Sequence, residues 1–160
     1  MSSILADDIR LHYERAFSTI HGIIEAFPED RWLEPHGDEY YIPSRIAYHL
    51  VGYIDFRIAG GSRDPDYKSK LPFGSWQDGT PETLPCKDSL MAYYDGVLEK
   101  AQSELAALDD DGLSAPIEPE RARLGTSQIA AHISAMRELS AHTGELNKML
   151  IENGKDDIWR

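Results

Sequence analysis

Between residues 4 and 27, apolar side chains recur at Ile9, Tyr13, Ala16, Phe17, Ile20, Ile24 and Phe27. Spacings of three and four put one buried stripe on a helix. Ser2 or Ser3 is placed to cap its start, and Pro28 ends it. A second periodic stretch opens at Pro43-Ser44, where proline fits a first helical turn. It buries Ile46, Leu50, Tyr53 and Ile54 and closes at Gly60-Gly61. A third runs from Asp88, a cap residue, to Leu108, with Leu90, Met91, Tyr94, Val97, Leu98, Ala101 and Leu105 inward. A fourth starts at Thr126 or Ser127 and reaches Asn153-Gly154, with Ile129, Ile133, Met136, Leu139, Leu146 and Leu150 as its inner residues. No segment alternates as a strand does.

The connections are as informative as the helices. Residues 28–42 hold prolines, Gly37, His36 and several acids, and allow at most a short helical turn. Residues 62–85, rich in Pro, Gly, Asp and Ser, are long for an internal loop, which marks a functional or partner surface; Phe73 and Trp76 are expected to pin it to the helices. Asp109-Asp110-Asp111-Gly112 reads as a solvated turn, since it lacks the alternating ligands and distant glutamate of a calcium loop. The expectation is an all-α fold: one domain over residues 1–160, a four-helix bundle with long connections after the first two helices and a shorter link after the third.

Charge then narrows the partners. The 160 residues carry 28 acidic against 16 basic side chains, a formal net charge of -12. Such a surface repels phosphate backbones and anionic lipid, which argues against nucleic acid and membrane as partners. Cys86 is the only cysteine, so no intrachain disulfide forms and a cytoplasmic location is expected. It reads as a bystander beside a helix start rather than a catalytic thiol. The first residues lack a signal-peptide pattern, and no apolar run reaches the roughly 20 residues that span a bilayer. No Gly-rich phosphate loop, nucleophile elbow, paired CxxC or basic-aromatic track appears.

The sharpest chemistry lies in His49 on the second helix and Glu138 with His142 on the fourth. Residues four apart on a helix are separated by about 40°, so Glu138 and His142 share a stripe, on the flank of the apolar face. His49 stands about 60° from Ile46, near Tyr53 and Phe56. Imidazole and carboxylate are usual donors to zinc, nickel, iron or manganese, and three protein ligands leave a position open to water or substrate. Spacing alone also fits a plain surface Glu–His hydrogen bond. His132, ten residues before His142, falls about 80° round the helix and 15 Å along it, too far to share an ion; a core position or a place behind the ligands suits it. Glu145 could support His142 or be a solvated acid. His12 and His21 lie off the centre of the first stripe and read as solvated or partly packed.

The segment Ile42-Pro43-Ser44-Arg45-Ile46-Ala47-Tyr48-His49-Leu50-Val51-Gly52-Tyr53 resembles the second helix of the DinB/YfiT-like superfamily of metal-dependent bundle proteins. Arg137-Glu138-Leu139-Ser140-Ala141-His142-Thr143-Gly144-Glu145-Leu146 is similar to its fourth, and Trp32-Leu33-Glu34-Pro35 fits its Trp-x-x-Pro approach to helix two. The resemblance spans essentially the whole chain in length and helix order, on short and moderately specific motifs. It implies a divalent metal on His49, Glu138 and His142, with Glu138 where full-triad members carry a third histidine. It further implies a bacterial cytoplasmic protein, often a homodimer, acting on a small molecule as a hydrolase or as a transferase or isomerase that uses a low-molecular-weight thiol. The alternative is a non-catalytic bundle that holds a ligand or partner in a degenerate metal site, or a dimerisation scaffold.

Overall fold

The four periodic stretches fold as four long helices in a computed structural model that describes residues 3–117 and 124–159. They are α1 (Ile4–Ala26), α2 (Pro43–Arg57), α3 (Lys87–Ala106) and α5 (Gln128–Glu152), with a short α4 (Asp110–Ser114) before the last. Single 3-10 turns fall at Glu29–Arg31, Gly61–Arg63 and Tyr67–Lys70. Among the described residues there is no strand, only two isolated bridges, and the fold is all-α. None of their helices is long and apolar enough to cross a membrane.

α1 and α2 each pack against both α3 and α5, which sets the four long helices in a ring. α1 contributes Ala6, Ile9, Tyr13, Phe17, Ile20, Ile23 and Ile24 to the core between them. Its start is stabilised from a distance. Ser3 occupies the cap position, yet its side chain does not cap; the hydroxyl donates to Asp110 Oδ1 at 2.6 Å, and the same oxygen accepts the Ala6 N–H at 3.1 Å. A carboxylate from α4 thus sits at the positive end of the α1 dipole. The acidic trio is accordingly a helix start rather than a solvated turn: Asp109 caps α4 by accepting the Gly112 N–H at 2.7 Å.

Two further expectations need correction. α3 begins at Lys87 with Cys86 at the cap, so Asp88 lies in the first turn, where its charge still favours the helix. On α5, Ile133 is 54% exposed, and the inner line is Ala131, Ala135, Leu139, Thr143, Leu146, Asn147, Met149 and Leu150. Residue size is the reason. Alanines let the first half of α5 approach its neighbours closely, while the bulkier Ile129 and Met136 stay half-buried on its flanks.

α2 is the most enclosed helix, with even Arg45 and Asp55 buried. Asp55 and the two terminal nitrogens of Arg45 have partners, whereas the buried Arg45 Nε has none among the described residues. Arg45 Nη1 donates to the Gln77 carbonyl at 3.0 Å and Nη2 to that of Gly79; Asp55 Oδ2 accepts from the Tyr93 hydroxyl at 2.7 Å. The Tyr48 hydroxyl donates to the Gly74 carbonyl at 2.9 Å, and Ser44 and Trp32 both donate to that of Pro85. Residues 62–85 are thereby stitched along α2, with Phe73 edge-on to Tyr48 and Tyr93.

Candidate metal centre

Packing of α2 on α5 brings together one imidazole from the first helix and an imidazole and a carboxylate, one turn apart, from the second. One ligand atom from each of His49, Glu138 and His142 lies within 4.8 Å of the other two. Glu138 Oε1 is 3.4 Å from His49 Nε2 and 3.3 Å from His142 Nε2. The two rings stand perpendicular, with centroids 4.6 Å apart.

The donor chemistry suits a cation. Glu145 Oε2 lies 2.7 Å from His142 Nδ1. A carboxylate only accepts, so Nδ1 carries a proton, and Glu145 orients the ring with Nε2 toward Glu138. Nε2 meets Glu138 at 3.3 Å through a proton of its own or through a cation that takes the proton's place. Nitrogen and oxygen bound to a tetrahedral ion at about 2.0–2.2 Å lie roughly 3.4 Å apart, close to both separations here. Burial, and next the neighbouring His142 ring, lower the His49 pKa from its ordinary 6.5, against the pull of Glu138 and Glu145. A neutral His49 is the form that binds metal.

The surroundings are asymmetric. The His49 side chain is 12% exposed, sheltered by Trp76, whose ring centroid is 4.2 Å away, and by Tyr53 at 6.2 Å. Glu138 is 42% exposed and lies toward solvent. A cavity of about 260 Å³ begins at His49 and runs between α2 and the long connection, lined by Gly52, Tyr53, Phe56, Tyr67 and Trp76. The connection therefore forms one wall of the space beside the histidine.

Tyr53 and Glu145 both stand by the cluster. His132 does not join it. Its Nδ1 is 3.0 Å from the Tyr13 hydroxyl across α1 and α5, beside a second cavity whose lining includes none of the three clustered residues. Cys86 is exposed, within 3.0 Å of the Ser89 hydroxyl. Trp76 is placed on His49 by a loop of no periodic pattern, so the loop's aromatic content was the only signal of that contact. Comparison of the chain with family models, curated proteins and solved structures gives no match.

Proposed function

We propose that this chain is a metal-dependent enzyme acting on a small molecule, with a divalent zinc, nickel, iron or manganese ion held by His49, Glu138 and His142. The observation that carries the reading is the convergence of two Nε2 atoms on one carboxylate oxygen, with the His142 tautomer set by Glu145. The ring of α1, α3, α2 and α5 supports a four-helix bundle of the DinB/YfiT-like kind, where sites are built from side chains on facing helices.

When bound, such an ion supplies Lewis acidity toward a water or a low-molecular-weight thiol. The protein's own groups do the rest. Glu145 holds the proton on His142 Nδ1, keeping Nε2 free and the ring oriented. Trp76 keeps bulk water off His49, which strengthens electrostatic interactions there. The half-exposed Glu138 leaves one side of the cluster open to the reacting partner. The reading extends to a cytoplasmic homodimer, for which the exposed Ile133 beside Met136 on the outer face of α5 offers a contact; Ile133→Asp then lowers the mass seen in light scattering.

Metal analysis of untagged protein tests the central proposal. One equivalent of metal is expected, lost when His49, Glu138 and His142 are replaced together by alanine. Metal retained at full stoichiometry in that variant removes these ligands. Glu138, standing where the resemblance implies histidine, favours a second reading as a non-catalytic binding bundle. Protein without metal after growth in supplemented medium, and no gain in stability on adding zinc, would select it.

A further inference from the structure

The cavity beside His49 has a floor made by a glycine. Gly52 lies in the interior of α2, a position where glycine is costly relative to alanine because it orders a freer backbone. No backbone conformation demands it: its φ is not positive, and a Cβ built there meets nothing within 4 Å. What the missing side chain leaves is space, in a cavity that Gly52 lines.

The walls of that space are mainly aromatic and apolar, with Ser75 and Gln77 as polar exceptions. Tyr53 and Phe56 rise from α2, and Tyr67, Leu71 and Trp76 face them from the long connection. The connection is fixed in place, since the Tyr67 hydroxyl donates to the Gly52 carbonyl at 3.0 Å and the Phe56 and Tyr67 rings pack with centroids 5.1 Å apart. An apolar cavity of about 150 Å³ takes up benzene. At about 260 Å³, this one has room for a single ring bearing a short substituent. Lys68 is the one charged residue in the lining, on a chain whose net charge is -12, and His49 closes the other part.

We infer that this cavity is a binding site for a small anionic molecule with one aromatic ring, the ring lying over Gly52 among Tyr53, Phe56 and Trp76. Lys68 draws the anionic group. This deepens the reading of the metal centre by naming its substrate class, and rests on that reading only for the link to catalysis. The cavity itself stands without an ion.

The test titrates phenylacetate, acetate and benzylamine into the full chain, with and without zinc, following the Trp76 indole signal by NMR. Phenylacetate is expected to bind at least about tenfold more tightly than acetate, the gain from burying a ring, and more tightly than benzylamine. The preference for the ring persists without zinc. Gly52→Leu fills the floor and removes that preference while the protein stays folded by circular dichroism. Phe56→Ala, which strips one wall, weakens phenylacetate several-fold and serves if the leucine variant does not fold. Equal binding of phenylacetate and acetate, tighter binding of benzylamine, or a ring preference intact in Gly52→Leu overturns the inference. Failure of zinc to bind, with the ring preference present, counts against the metal centre alone.

Discussion

Two histidines on α5 meet their neighbours in opposite ways. His132 Nδ1 lies 3.0 Å from the Tyr13 hydroxyl, which also donates to the His132 carbonyl at 3.4 Å. Burial pushes that phenol well above its ordinary range, so it remains a donor at any physiological pH. His142 faces Glu145 on one side and Glu138 on the other, acceptors both, and His49 Nε2 stands 3.4 Å from the same Glu138 oxygen. A helix surface carrying histidine is therefore not by itself a metal site. What separates the two places is the company of the ring: the Tyr13 hydroxyl at His132, two carboxylates and a second imidazole at His142.

Substitutions sharpen this contrast. The largest effect is expected for His49→Ala or His142→Ala, which should lower zinc affinity by at least about 100-fold in a chelator competition, while His132→Ala changes it less than about twofold. Equal losses at all three positions would erase the distinction. Glu145→Gln comes next. Its amide can still accept from Nδ1 through its oxygen but lacks the negative charge, and zinc affinity should fall about tenfold.

On the His132 side the expected effects concern stability instead. Tyr13→Phe removes the donor to His132 and should cost about 1 kcal/mol in urea denaturation, leaving zinc affinity unchanged. The smallest effect is one of pH. His49 has a lowered pKa when folded, so the unfolded chain takes up its proton first as pH falls. Stability from this residue is full above its ordinary value of 6.5 and declines as pH drops through the window below it. In metal-free protein, denaturation at about pH 7 and about pH 5 should reveal a loss of stability from this group, removed by His49→Gln. A loss of the same size in the variant assigns it to other groups.

Much of this was readable from residue order because helices declare themselves locally. Ile9, Tyr13, Phe17 and Ile20 on α1, or Leu90, Tyr94, Val97 and Ala101 on α3, need only a 3.6-residue period to be placed inward. The period failed where size misled. Ile133 outranks Ala131 and Ala135 in hydrophobicity, yet close approach between helices favours the alanines. Contacts made across the fold left no local mark: nothing near Ser3 announces Asp110, and nothing near Tyr13 announces His132. For the cluster, the sequence could pair Glu138 with His142 through their spacing. The meeting with His49 depends on how α2 packs on α5, and the shelter by Trp76 depends on a loop held by Arg45 and Tyr48. Gly52 carried no signal, because a glycine inside a helix explains itself only once the cavity beside it is known.

One experiment bears on the centre most directly: a crystal grown with zinc, with diffraction recorded on both sides of the zinc absorption edge. A single anomalous peak is expected between His49 Nε2, His142 Nε2 and the Glu138 carboxylate, within about 2.0–2.2 Å of each. Zinc bound at full occupancy elsewhere, or these three side chains left without it at saturating metal, would contradict the account.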